Sequence, residues 1–205
     1  MIAIIDYGVG NLFSLKSSFA AIGAETVVTG DPGVIRNAEK LILPGVGAFG
    51  DAAALLRRDG LDKLVIEEAR SGKPLLGICL GMQLLFDYGL EYGRHEGLGL
   101  IPGSVRPIAD FIPKGYKIPH IGWNALHFPA GKSVNPLFRH IKENDCVYFV
   151  HSFCGAECED SVIATAEYGA ELTAAVARGN VYGAQFHPEK SGEVGLNILR
   201  AFCEL

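Results

Sequence analysis

Two short stretches of this chain carry residue types that can do covalent chemistry together. The first is Lys73 to Phe86, KPLLGICLGMQLLF, with Cys79 near its centre. Glycines stand two residues before the cysteine (Gly77) and two after it (Gly81). Pro74 to Ile78 is a short apolar run and predicts a buried strand. From Leu80 onward, Leu80, Leu84, Leu85 and Tyr88 recur at helical intervals. The change of period falls on Cys79, which is the layout of a nucleophile elbow with cysteine in the serine position of G-x-S-x-G. A thiol at a helix start feels the helix dipole, and its thiolate is the attacking species. The Leu80 N–H would then face the oxygen of an attacked carbonyl. A cysteine ending an apolar run also fits a core position. The glycines and the change of period leave these two readings balanced.

The second stretch is VYGAQF, 181–186, followed by His187-Pro188-Glu189. Pro188 keeps His187 out of the helical region. Extended residues two apart lie on one side, so His187 and Glu189 project together. A carboxylate beside one imidazole nitrogen fixes the tautomer and supports the imidazolium, which frees the other nitrogen for a thiol. His-Pro-Glu alone also fits a capping histidine in a turn. With an elbow cysteine in the same chain, the Cys79-His187-Glu189 triad is the reading that joins both stretches.

The other histidines read differently. His95, His127 and His140 sit in polar or amphipathic surroundings and predict surface positions. His120 precedes the apolar IGWN segment, and His151 follows the strand CVYFV, where it fits a site edge or a structural role equally. His151, Cys154 and Cys158 are spaced somewhat like metal ligands, but no fourth ligand or C-x-x-C pair accompanies them. Neither a metal nor a cofactor is expected. Cys146 and Cys203 read as core.

These residues need a scaffold that brings distant segments together. Ile2 to Asp6 predicts a strand, followed by the Gly-rich turn DYGVGN and a helix with Leu12, Leu15, Phe19 and Ile22 on one stripe. Asn11 is its expected cap and Gly23 its stop. Glu25 to Thr29 and Lys40 to Leu43 predict two more strands. The turn PGVGAFG follows, then a helix to about Arg58 and another from Leu61 to Ser71. Strands alternating with helices predict a parallel sheet covered on both faces. Sites in such sheets form at the carboxyl ends of the strands, so the Gly45–Gly47 turn would face Cys79 and offer a second N–H to an oxyanion. Gly-rich turns also cradle phosphate, but neither a P-loop nor a complete G-x-G-x-x-G is present. Beyond Gly97, short strand-like pieces (104–108, 121–128, 146–150, 162–168, 173–178, 181–186) predict antiparallel strands joined to the sheet. An amphipathic helix from Val194 to Leu205 closes the chain.

The composition sets outer limits. A chain of 205 residues suits one domain, here 1–205, with a full-sized core. A net charge of −5 without a basic stripe argues against a nucleic-acid partner. Five irregularly spaced cysteines argue against a disulfide framework and for a reducing, cytoplasmic setting. No signal-peptide pattern or membrane-length apolar run is visible.

Gly77-Ile78-Cys79-Leu80-Gly81 followed by Met82-Gln83, with His187-Pro188-Glu189 near the end, resembles the class I glutamine amidotransferases. DYGVGN, LPGVGAFG, GLGLIPG, the IPHIGWN run, YFVHSF and QFHPEKSG occur in order and resemble, within that class, the glutaminase subunits of imidazole glycerol phosphate synthases. The resemblance spans essentially the whole chain. It implies a three-layer α/β fold whose mostly parallel sheet carries antiparallel strands in the C-terminal half. It implies glutamine as substrate, hydrolysed through a thioester on Cys79. By the same resemblance, backbone groups of Val46, Gly47 and Leu80 bind the oxyanion, and Gln83, Glu91, Ser152 and Phe153 contact glutamine. The implied partner is a (β/α)₈-barrel cyclase forming a heterodimer with this chain, and Asn11, Ser14, Trp123 and Lys190 match its interface. The pattern departs at Leu90 and Phe153, where an acidic residue and an aromatic hydroxyl are common. Rival readings are a glutaminase subunit for pyridoxal phosphate or anthranilate synthesis, a stand-alone γ-glutamyl cysteine hydrolase, and a catalytically dead binding subunit.

Overall fold

The strand β1 (Ile2–Ile5) is apolar at every position and buried at every position, as the middle of a covered sheet requires. A computed structural model describes residues 1–131 and 133–205 of the chain. After β1 comes α1 (Leu12–Ala21), which buries Leu15 and Phe19. Asn11 stands at its cap position, but its side chain makes no capping bond; only its carbonyl takes the Leu15 N–H. Next are β2 (Thr26–Thr29) and a short α2 (Pro32–Asn37), capped by Asp31 through the Val34 N–H at 2.9 Å. The sequence pattern passed over α2 because it is six residues long with one buried side chain. Then follow β3 (Lys40–Leu43), α3 (Phe49–Arg58), α4 (Leu61–Arg70), β4 (Leu75–Ile78) and α5 (Leu80–Leu84).

The expected helix after Cys79 is thus only five residues long, and Tyr88 lies in a strand. The cause is tertiary. The N–H groups of Leu98, Gly99, Leu100 and Ile101 take the carbonyls of Leu84, Phe86 and Leu85 that a longer helix would have used. The chain continues as β5 (Phe86–Gly89), β6 (His95–Glu96), β7 (Ile101–Pro107), β8 (His120–Ala125), β9 (Cys146–His151) and β10 (Phe153–Ala156). It ends with β11 (Val162–Glu167), β12 (Glu171–Arg178), β13 (Val181–Ala184) and α6 (Gly192–Cys203).

Seven strands form the main sheet in the order β11-β12-β13-β4-β3-β1-β2. From β13 to β2 every neighbouring pair is parallel, while β11 and β12 are antiparallel additions. Alternate residues feed two cores. Ala3, Ile5, Leu43 and Leu75 face α3, α4 and α5, whereas Ile4, Ile42, Leu76 and Ile78 face α1 and α6. The three-layer expectation therefore holds. A second sheet of order β10-β7-β5-β6 and a β8–β9 ribbon complete the molecule. No helix among the described residues is long and apolar enough to cross a membrane.

Register explains why the two chemical stretches meet. Ile78 on β4 pairs with Ala184 on β13, and the Cys79 N–H bonds the Ala184 carbonyl at 2.7 Å. On the other side of β4, Leu43 pairs with Gly77. The carboxyl ends of β3, β4 and β13 thus deliver the Pro44–Gly47 turn, Cys79 and His187 to one edge of the sheet.

Candidate active site

Cys79 occupies the sharp turn between β4 and α5 with φ +55° and ψ −114°. A non-glycine residue in such a conformation costs about 1–3 kcal/mol and persists only where its surroundings enforce it. Here they do. A Cβ on Gly77 would stand 2.6 Å from the Gly81 carbonyl oxygen, and one on Gly81 would collide with the Leu43 carbonyl oxygen. The two flanking glycines are therefore required by close backbone approach.

His187 enters on an extended residue (φ −101°, ψ 98°) held to β9. Its N–H bonds the Tyr148 carbonyl at 3.0 Å, and the Ser191 hydroxyl donates to its carbonyl at 2.6 Å. Its Nδ1 meets Glu189 Oε1 at 2.8 Å, with both side chains almost completely buried. The second carboxylate oxygen, Oε2, is buried without a partner among the described residues. The carboxylate thus has the imidazole as its one bonded group. Burial opposes charging of His187, but hydrogen bonds to Cys79 and then Glu189, followed by the charges of the same two groups, outweigh it and raise its pKa to about 9.

A cavity of about 370 Å³ opens over these groups. Val46, Gly47, Cys79, Leu80, Gln83, Glu91, Ser152, Phe153, His187 and Lys190 all line it, so every substrate and oxyanion residue expected from the sequence reaches one space. A larger cavity of about 660 Å³ lies among Phe128, Cys154 and Thr173 and contains neither Cys79 nor His187. The chemistry selects the smaller one.

Some side chains have second duties. The Glu91 carboxylate accepts the Phe49 N–H at 2.7 Å and so caps α3, whose own cap residue is Ala48. Gln83 commits both amide hydrogens inside the protein, to the Phe153 carbonyl (3.2 Å) and to Gln185 Oε1 (3.0 Å).

Trp123 and Lys190 flank Tyr148. The indole meets the phenol ring edge-on at 5.9 Å, and the Lys190 Nζ stands 5.9 Å from the same ring. Trp123 is 57% exposed, with Ile118, Ile121 and Val46 also exposed nearby in the chain segments around the cavity. Asn11 and Ser14 are half-buried on the loop and first turn of α1.

Sequence reasoning missed one neighbour of the thiol, and it left the roles of His151 and His120 open. Gln185 is fully buried and aims Nε2 at Cys79 Sγ from 3.9 Å. The signal was its place two residues before His187, on the same side of an extended segment. His151 donates Nδ1–H to the Phe153 carbonyl at 2.8 Å and meets His120 Nδ1 at 3.0 Å. His120 is buried between the rings of Tyr168 and Phe149. Cys146, expected in the core, is exposed; Cys203 is half-buried. His95 and His127 are half-buried, against the surface expectation, because His95 packs on Gly50 and His127 bridges to Thr165. No group of three or more His, Cys, Asp or Glu side chains among the described residues is placed to hold a metal.

A strained cysteine on a strand-to-helix turn, with a His-Glu pair from the adjacent parallel strand, is the arrangement of a cysteine amidotransferase. The chain belongs to the class I glutamine amidotransferase family, matched over residues 3–204. Among its relatives is the imidazole glycerol phosphate synthase subunit HisH of Geobacillus sp. (strain WCH70), 49% identical, covering 100% of this chain and 97% of the relative. The protein of the same description from Oceanobacillus iheyensis is 46% identical, with coverage of 100% and 99%. Solved structures share the fold: PurLQS from Thermotoga maritima at TM-score 0.77 and 21% identity, covering 99% and 97% of the two chains, and a glutamine amidotransferase at 0.76 and 20%, covering 100% and 98%.

Proposed function

We propose that this chain hydrolyses glutamine to glutamate and ammonia as the glutaminase subunit of an imidazole glycerol phosphate synthase in histidine biosynthesis, acting as one amidotransferase domain over residues 1–205. The relatives support the pathway, and the geometry supports the chemistry. The observation that carries the reading is the register of β4 with β13, which sets the strained Cys79 beside a His187 whose pKa lies near 9.

In this reading the Cys79 thiolate attacks the side-chain amide carbon. Charge develops on the carbonyl oxygen, where backbone N–H groups of Leu80 and of the Val46–Gly47 turn receive it. The C–N bond breaks as the His187 imidazolium gives its proton to the departing nitrogen, releasing ammonia and leaving a thioester. His187, now neutral, takes a proton from water; the hydroxide adds to the thioester carbon, and glutamate leaves as the thiolate returns. Glu189 holds the imidazole orientation through both halves. Gln83, Glu91, Ser152 and Phe153 hold glutamine.

Ammonia released into neutral water becomes mostly ammonium, which is not a nucleophile. A biosynthetic glutaminase must therefore hand ammonia to a second active site. We assign that site to a cyclase subunit, a (β/α)₈ barrel in a heterodimer, docked on the face that carries Asn11, Ser14, Trp123 and Lys190. Incubating the complex with a glutamine analogue that bears an electrophilic side-chain carbon tests the nucleophile. Peptide mass analysis should place the adduct on Cys79, and Cys79→Ala should release no glutamate. An adduct elsewhere, or turnover by Cys79→Ala, would overturn the reading.

A further inference from the structure

Tyr7 belongs to the DYGVGN turn, is 2% exposed, and takes no part in the triad. Its hydroxyl donates to the Pro44 carbonyl at 2.7 Å. That carbonyl belongs to the peptide that opens the Pro44–Gly47 turn. The same β1 turn also touches Pro44 from a second direction, because a Cβ on Gly10 would lie 3.0 Å from Pro44 Cβ. Gly45 is enclosed in turn. A Cβ there would stand 2.8 Å from the Gly81 N, 2.9 Å from Leu80 Cβ and 3.0 Å from the Tyr7 hydroxyl. Gly45 is therefore held between the phenol and the elbow.

The next residues differ. Val46 is 43% exposed, Gly47 has φ +98°, and neither N–H has a protein acceptor among the described residues. The turn is thus fixed at its upstream end and carries free donors just beyond it, on the wall of the cavity that holds Cys79. We infer that Tyr7 is a positioning residue for the oxyanion: its hydroxyl fixes the Pro44–Gly45 peptide and so sets where the Val46 and Gly47 N–H groups fall relative to the attacked carbonyl. This rests on the thiol and oxyanion assignments proposed above. Burial, and then the charge of Cys79, push the phenol pKa upward, so the hydroxyl stays protonated and remains a donor.

Two reactions of the same thiol separate this role from a general structural one. Hydrolysis of glutamine builds negative charge on oxygen and uses the turn. Alkylation by iodoacetamide displaces iodide at a saturated carbon and builds none. In the synthase complex, Tyr7→Phe keeps the ring and removes the donor. It should lower kcat for glutamine about tenfold, less than the hundredfold or more that loss of an oxyanion donor itself costs. KM and the Cys79 alkylation rate should stay within about twofold of the parent, since neither depends on charge at the carbonyl oxygen. An unchanged kcat would overturn the inference. So would equal losses in hydrolysis and alkylation, which would put the effect on the thiol or the fold. Thermal unfolding of both proteins checks that the variant is folded at the assay temperature. Glutamate release by Cys79→Ala would remove the assignment of the thiol itself, and the role of Tyr7 with it.

Discussion

At neutral pH His187 carries a proton that His151, lining the same cavity, does not. Burial, only partly offset by the Phe153 carbonyl, lowers His151 to about 4, whereas Cys79 and Glu189 outweigh burial at His187 and raise it to about 9. The contrast assigns roles: His187 can serve as an acid, and neutral His151 can keep the Nδ1–H that holds Phe153. The signs for stability are opposite. His187 binds its proton more tightly folded than unfolded, so its contribution is complete below about pH 6.5 and is lost as pH rises through about 9. His151 contributes fully above about 6.5 and loses its contribution as pH falls through about 4. Glu189→Gln should lower kcat by about ten-thousandfold, as wrong-tautomer variants of such triads do. It should also move the alkaline limb of the kcat profile below its parent position near pH 9; an unmoved limb would show that the carboxylate does not set the imidazole. The meeting of Cys79, His187 and Glu189 at one sheet edge was readable from residue type because Cys between glycines and His-Pro-Glu each satisfy a local rule. Gln185 and Tyr7 were not, since a buried amide and a buried phenol acquire their roles from neighbours 106 and 37 residues away.

At the scale of elements, the site depends on β4, α5 and the turn after β3 approaching more closely than side chains permit. Gly81 marks that contact, because an added Cβ would strike the Leu43 carbonyl. Gly81→Ala should cost about 1–3 kcal/mol in a urea titration. Gly23→Ala makes a useful comparison, with φ +76° but open space around it, and should lose only the left-handed cost of about 1–2 kcal/mol. Glutamine hydrolysis should survive Gly23→Ala and be lost in Gly81→Ala. Equal activity in both would mean that the elbow and turn are not in functional contact. The parallel strands β1, β3 and β4 were readable as apolar runs between Gly-rich turns. The length of α5 was not, because Leu84, Leu85 and Tyr88 keep helical spacing while the segment around Leu98 claims the carbonyls of Leu84, Leu85 and Phe86. Short strands such as β6 escaped for a different reason: two residues carry no period, and only their antiparallel pairing with the neighbouring β5 across a short turn defines them.

At the scale of the whole molecule, the docking face proposed above is marked by Trp123. Trp123 projects from β8, on the alternate positions opposite to buried His120, and it is the only tryptophan in the chain. Its exposure makes it a reporter. Docking of the cyclase should shift its emission to shorter wavelength, and Trp123→Ala should weaken the complex by about tenfold or more, as central aromatic anchors do. An unchanged spectrum at saturating partner would place the interface elsewhere. The same face borders the Val46–Gly47 turn, whose N–H groups have no protein acceptor among the described residues. In the function proposed above, a partner seated there organises the turn and so couples synthase assembly to glutamine hydrolysis. The most direct measurement is therefore glutamate release from glutamine by this chain alone and with the cyclase subunit and its ribonucleotide ligand. The account predicts weak release alone, strong release in the complex, and none in either state with Cys79→Ala. Equal turnover with and without the cyclase would contradict it.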